Sequence, residues 1–244
     1  MARTELDHAR ALWKALQLPN AFYPVRRFGN PSAYGKIYIS NNNKLMKITA
    51  WTKNSQREMK ISKIASNKNI GPKVYHTRTW SPRARNAHEY ATLRTFAPKG
   101  TKLSIITMNL IPRSQSVYNA INNGVITNFK PIENMVKRMH AAGIHHGNLH
   151  GGNILVYVNN SGQLKFVPID FGASKYHPKI TNTASAVRRA TQMCGFRGPG
   201  KKSVIQGFTC YARPGREQLV RSNQNMLNNL RHYFNTRNGS TTTS

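Results

Sequence analysis

The chain has 244 residues, 39% of them hydrophobic. It can therefore bury a core, fits one domain or one two-lobed unit, and is not a disordered chain. Its 37 lysines and arginines stand against 7 acids, a formal charge of +30, and that balance points to polyanionic partners rather than cationic ones.

Thr4 to Leu18 reads as a helix, with Thr4 as cap, Asp7 three residues on, and Leu6, Ala9, Leu12, Trp13 and Leu16 on one face. Pro19-Asn20 ends it, and the helix is expected to act as an N-terminal brace packed on the strands next in the chain. Between Val25 and Ala50 the pattern is that of strands. Tyr34 to Ile39 alternates, Asn41-Asn42-Asn43 turns, and Lys44 to Ile48 alternates again, a hairpin signal. Ser55 to Asn67 is predicted helical with Ser55 as cap, and Gly71-Pro72 closes it. Val74 to Trp80 and Tyr90 to Phe96 are predicted strands around the loop Ser81 to Asn86, and Leu103 to Met108 a buried one. Pro112 then leads into a new region. Ile132, Met135, Val136 and Met139 mark a helix before Gly143. A polar loop comes next, then the apolar run Ile154 to Val158, a turn, a second apolar strand and an acidic turn at Asp170. Helices are expected at Ala184 to Met193 and Glu217 to Phe234, turns at Gly195 to Gly200 and Arg213 to Gly215, and a frayed tail at 236–244.

No apolar run is long enough to span a membrane, and the amino-terminal stretch lacks the apolar segment of a secretory signal. Cys194 and Cys210 form neither a disulfide framework nor a metal-ligand set. The expected location is intracellular, cytoplasmic or nuclear. No run of five like charges occurs, so the basic character belongs to a globular surface and not to a tail. With so few acids (Glu5, Asp7, Glu58, Glu89, Glu133, Asp170 and Glu217), each one is informative. His145, His146 and His150 could suggest a metal cluster, but no acidic or cysteine ligand lies beside them, and structural loop histidines fit better.

The stretch His146-Gly147-Asn148-Leu149-His150-Gly151-Gly152-Asn153, with Asp170-Phe171-Gly172 after it, resembles the catalytic loop and metal-binding turn of the protein-kinase-like superfamily. It is most like the variety found in atypical, small-molecule and large-DNA-virus kinases. The resemblance covers about Phe28 to Ser174 and rests on several parts occurring in order. It implies an α+β, bilobal fold: an N-terminal helix (1–20), an N-lobe of strands plus one helix (21–108), a shortened, mainly helical C-lobe (109–235) and a flexible tail (236–244). By the same resemblance Gly35 is the surviving glycine of a phosphate-covering turn, with Asn30 and Ser32 where two others would stand. Lys47 pairs with ATP phosphates and with Glu58, and Met108-Asn109-Leu110 offers its backbone to an adenine edge. Asn153 and Asp170 hold Mg²⁺. Asn148 occupies the place of the catalytic aspartate, and His150 shares its loop.

An asparagine amide carries no charge and is not a base at neutral pH. The resemblance thus implies an ATP- and Mg²⁺-binding protein phosphorylating Ser/Thr of proteins, with transfer slowed at Asn148. The alternatives are an inactive pseudokinase, serving as a basic structural or nucleic-acid-associated module packaged in a virion or capsid, and a small-molecule kinase. The partners implied are ATP, a protein substrate or structural protein, and nucleic acid on the basic surface.

Overall fold

A computed structural model describes residues 3–32 and 35–178, together with Asn228, Arg231, His232 and Asn235. The sequence expectations for Ala184 to Met193, Gly195 to Gly200, Arg213 to Gly215 and the tail lie outside the described residues, as do Cys194, Cys210 and Glu217. Of the helix expected at Glu217 to Phe234, only residues 228, 231 and 232 are described, and they are helical. The chain is α+β and divides into two compact units, one of Met1–Asn67 and Pro72–Pro112, the other of Lys68–Gly71 and the chain from Arg113.

The first unit is a five-stranded antiparallel sheet with helices on both faces. Its strands are β1 (Arg26–Ser32), β2 (Gly35–Ile39), β3 (Lys44–Ala50), β4 (Val74–Trp80) and β5 (Leu103–Asn109), ordered β1-β2-β3-β5-β4. The expected hairpin is β2–β3, pairing Lys36 with Ile48 and Ile37 with Lys47. Alternation along β3 sends Met46 and Ile48 to one face and Lys47 to the other. Met46 and Ile48 join Tyr38, Leu103 and Ile105 in a core closed by two helices, α1 (Glu5–Ala15) and, further along the chain, Ala87–Phe96. α1 supplies Ala9 and Leu12, and the second helix supplies Leu93 and Phe96. The start of α1 is fixed as the sequence indicated: Thr4 and Asp7 exchange side-chain and backbone bonds in a capping box.

On the opposite face lies α2 (Lys53–Asn67). It begins two residues before the expected start, because Thr52, not Ser55, stands at the cap position. Ser55 N–H donates to Thr52 Oγ1 at 3.1 Å, and Thr52 N–H to Ser55 Oγ at 2.9 Å. Buried Ser55 also meets Ser104 of β5, Oγ to Oγ at 2.8 Å. The strand expected over Tyr90 to Phe96 is instead the helix α3 (Ala87–Phe96). Asn86 caps it by accepting from Glu89 N–H, and Thr92, Leu93 and Phe96 form its buried face. The apolar points repeat at three and four residues, which a run read as a strand overlooks.

The second unit contains β6 (Gln115–Ser116), α4 (Val117–Asn122), α5 (Lys130–Ala141), β7 (Ile144–His145), β8 (Ile154–Val158), β9 (Leu164–Pro168) and β10 (Lys175–Tyr176). β8 is the centre of a three-stranded sheet, β6-β8-β9, and β7 pairs with β10. α5 buries Ile132, Met135, Val136 and Met139, the face read from the sequence, and ends before Gly143. Gly143 has φ +75° and lies against the backbone of His177 and Pro178, where a Cβ would come within 2.8 Å of the His177 carbonyl oxygen. Glycine alone combines that φ with that approach.

Candidate functional site

Lys47 projects from the face of β3 that looks at α2. Its register neighbours are Ile37 on β2 and Ile106 on β5, so the aliphatic stem has an apolar bed. Nζ donates to Glu58 Oε1 at 2.5 Å, and the two side chains are only 13% and 9% exposed. A buried ammonium needs such a partner, since removing either member leaves an uncompensated charge. Gly35 opens β2 at φ +140°, and a Cβ there would stand 2.4 Å from Thr49 Cγ2 and 3.1 Å from the Ile48 carbonyl. Close approach of β3 therefore requires glycine at this position whatever else binds there.

At the end of β5, Asn109 N–H donates to Lys73 O at 2.9 Å and Leu110 N–H to Asn43 O at 3.0 Å. Met108 is paired in the sheet with Leu45 and Val74. The backbone donors expected to meet an adenine edge at Asn109 and Leu110 are thus engaged inside the unit. The Asn109 side chain is held as well, its Oδ1 accepting from Lys44 Nζ at 2.6 Å and from the Tyr75 hydroxyl at 2.9 Å.

In the second unit the loop after β7 is knitted to the acidic turn. His146 is completely buried, and its Nε2 lies 2.8 Å from the Ile169 carbonyl. A carbonyl only accepts, so Nε2 carries the proton and donates. Burial lowers the His146 pKa to about 4 against the raising effects of the Ile169 bond and of Asp170, so the ring is neutral at pH 7. Ile169 N–H donates to Asn153 O at 2.9 Å. Both polar backbone groups of Ile169 are thereby fixed, and Asp170 comes directly after it. Asp170 has the left-handed backbone φ 61°, ψ 69°, which Asp tolerates better than most side chains but which still carries strain. Next comes Phe171, 1% exposed, its ring 5.2 Å from that of His146. Ser174 closes the turn by donating from Oγ to the His146 carbonyl at 2.8 Å.

Asn153 Nδ2 donates to the Asn148 carbonyl at 2.9 Å, which leaves Oδ1 as the oxygen that side chain can offer a cation. Asn148 itself is half-buried, and Asp170 is exposed. His150 Nδ1 accepts from Gly152 N–H at 3.1 Å and caps the short 3-10 turn Gly151–Asn153. Its ring stacks on Tyr118, centroids 6.3 Å apart. The ring therefore holds the turn, and an acid–base task is not what the geometry gives it. His146, Tyr118 and Ser174 were missed by the sequence reading as parts of this site. The available signal was a histidine four residues before another, ahead of an apolar strand and an acidic turn.

Among the described residues no group of three or more His, Cys, Asp or Glu is placed to hold a metal ion. One carboxylate and one amide oxygen, Asp170 and Asn153, fit Mg²⁺ brought with phosphate and water, which is how that ion is usually held, and not a stand-alone protein cage.

A Lys–Glu pair between the central sheet and the one helix on its far face, then a helix, a histidine-bearing loop, a strand pair and an acidic turn, define a kinase-like α+β chain. A family model described as Kdo, the lipopolysaccharide kinase (Kdo/WaaP) family, matches residues 125–187, about a quarter of the chain. Two solved structures are similar in course. One, described as WaaP in complex with acyl carrier protein, is 10% identical, covers 94% of this chain and 96% of that one, and has a TM-score of 0.46. The other, a crystal structure of WbdD, is 13% identical, covers 86% and 48%, and has a TM-score of 0.42. No curated protein matches the sequence. No helix among the described residues is long and apolar enough to cross a membrane.

Proposed function

We propose that this chain binds Mg-ATP and is a kinase-like phosphotransferase acting on a hydroxyl, slow for want of a base at residue 148. The observation that carries the reading is the lock on Ile169, whose carbonyl is held by His146 and whose N–H is held by Asn153. That lock presents Asp170 in a strained conformation beside the residue that tethers the Asn148 carbonyl. Strain maintained by buried bonds is a mark of a site with a task.

The roles come from the chemistry of each group. Lys47, kept in place by Glu58, supplies a fixed positive charge for phosphate oxygens. Asp170 and the Asn153 amide oxygen would hold Mg²⁺, which when bound neutralises phosphate charge. Asn148 can orient an acceptor hydroxyl by hydrogen bonding but cannot take its proton, so the rate falls short by the general-base factor, about 10²–10⁴. The similarity across residues 125–187 is to a family named for lipopolysaccharide, and a +30 chain attracts anionic acceptors. An anionic saccharide hydroxyl is therefore preferred here to protein Ser/Thr. Asn148 favours a second reading, a pseudokinase that binds nucleotide and contacts a polyanion without transfer.

The test is thermal. Millimolar Mg-ATP is expected to raise the unfolding midpoint by several degrees, since a ligand at about 100 times its Kd adds about 2.7 kcal/mol. Asp170→Ala is expected to remove the Mg²⁺-dependent part of that rise. A wild-type midpoint that does not move at millimolar Mg-ATP would rule out the nucleotide site, and both readings with it.

A further inference from the structure

One carboxylate ties α1 to the β1–β2 hairpin. Glu5 lies in the first turn of α1, where the helix end favours negative charge. Its Oε2 accepts from Lys36 Nζ at 2.5 Å and from Arg27 Nη1 at 3.3 Å, and its Oε1 accepts from the Tyr38 hydroxyl at 2.5 Å. The donors come from two strands, Arg27 from β1 and its register partner Tyr38, with Lys36, from β2. Lys36 also donates to the Thr95 carbonyl of α3 at 3.1 Å, and its ammonium stands 5.5 Å from the centroid of the Phe96 ring. The hairpin, α1 and α3 therefore converge on Glu5.

The cluster is built and not incidental. Tyr38 is 1% exposed, and burial together with Glu5 raises its pKa, so the hydroxyl remains a donor. Burial pushes the Glu5 pKa up, but the bonds from Lys36 and Tyr38 and the charges of Lys36 and Arg27 outweigh it and hold the carboxyl below its ordinary range. Only seven acids serve the whole chain, and one of them accepts three donors at this place. Lys36 is the next residue after Gly35, which β3 already pins through Thr49 and Ile48. The returning arm of the hairpin is thus fixed from two sides, by β3 at Gly35 and by α1 at Lys36.

We propose that Glu5 is a positioning residue for the Gly35 turn: α1 is a built-in brace that sets the β1–β2 hairpin, and through it nucleotide affinity, without touching nucleotide. The proposal rests on the ATP-binding reading above. It also makes α1 a handle, because anything that draws Glu5 away loosens the hairpin.

The experiment is hydrogen exchange, read by mass spectrometry, on the full chain and on Glu5→Gln, Glu5→Ala and Asp7→Ala, beside ATP titrations of each. Glu5→Gln keeps the side-chain shape and removes the charge, so it serves if Glu5→Ala does not fold. Asp7→Ala removes the helix cap but leaves the three donors their carboxylate. The expected result for Glu5→Gln is exchange at residues 26–39 faster by tenfold or more, unchanged exchange in β8 and β9, and ATP affinity lower by about fivefold to tenfold. Asp7→Ala should leave the hairpin protected. Unchanged hairpin exchange in Glu5→Gln overturns the proposal. So does equal opening in Asp7→Ala, or a uniform rise across the first unit, since either makes Glu5 a contributor to general stability. A wild-type chain that binds no ATP overturns the nucleotide reading, and the exchange result then decides the brace by itself.

Discussion

Asn148 differs from an aspartate by one atom and one charge, and the structure shows what surrounds that difference. Its carbonyl is tethered by Asn153, while Asn153, His146 and Ile169 form a continuous set of bonds that does not use the Asn148 side chain. Changing the amide to a carboxylate leaves that frame intact. Asn148→Asp is therefore expected to raise phosphate transfer from ATP to an anionic saccharide acceptor by about 10²–10⁴-fold, with nucleotide affinity changed little. Radiolabel transfer and an ATP titration on the same preparation check both halves, and an unchanged transfer rate favours the pseudokinase. Lys47 calls for the reverse experiment. Glu58→Gln leaves a buried ammonium with a neutral partner, a change expected to destabilise by about 3 kcal/mol or more. Lys47→Met with Glu58→Gln removes both charges and should recover much of that loss. Urea unfolding of the single and double variants measures it. Glu58 and Asp170 were legible in the sequence because acids are rare and the motifs keep their order. His146 was not, because its partner is a backbone carbonyl 23 residues away, and no side-chain pattern announces such a bond.

Elements with a long, regular apolar face were the ones the sequence disclosed: α1, α5 and the β2–β3 hairpin lie close to where their periodicity places them. α3 was mistaken for a strand, since in a run of ten residues three apolar points fit either period, and the decisive feature was its Asn86 cap with Glu89. α4 escaped notice for a related reason. It has six residues and is set by Ser116, whose Oγ accepts from Asn119 N–H at 3.2 Å. Strands of two residues such as β6, β7 and β10 carry no period at all. Yet α4 matters to the loop, because its Tyr118 covers Gly151: a Cβ at Gly151 would meet Tyr118 Cδ1 at 2.6 Å. Gly151→Ala is expected to destabilise by about 1–3 kcal/mol, the usual range for overpacking. Tyr118→Leu with Gly151→Ala should cost less than the sum of the two single changes, because the clash partner is gone. A double-mutant cycle in urea reads the coupling. Additive energies would show that the Gly151 turn does not depend on the ring.

At the scale of the whole molecule, proton uptake and net charge act together. Burial lowers the pKa of His8, His76, His140 and His146, the last two to about 4 from the ordinary 6.5. For His140 burial is the largest cause, and His145, whose ring lies 5.3 Å away, adds to it. Between pH 6.5 and 4 the unfolded chain binds protons that the folded chain refuses, so unfolding becomes easier as pH falls through that window. The carboxyls of Glu5, Asp7 and Glu89 are shifted down. Their stabilisation is complete above the ordinary carboxylate values, 4.5 for Glu and 3.8 for Asp, and is lost only below them. The interval from pH 6.5 to 4.5 therefore isolates the histidines. Stability is expected to fall across it, and His140→Leu should flatten the slope by up to one proton, about 1.4 kcal/mol per pH unit. Salt separates this effect from the +30 charge. Raising ionic strength from about 0.05 to about 0.5 M shortens the screening length severalfold and relieves repulsion among surface cations. It cannot rehydrate a buried imidazole. The unfolding free energy should rise with salt at every pH while its slope between pH 6.5 and 4.5 stays the same. A slope that disappears in high salt would assign the acid sensitivity to the surface charge in place of the buried histidines.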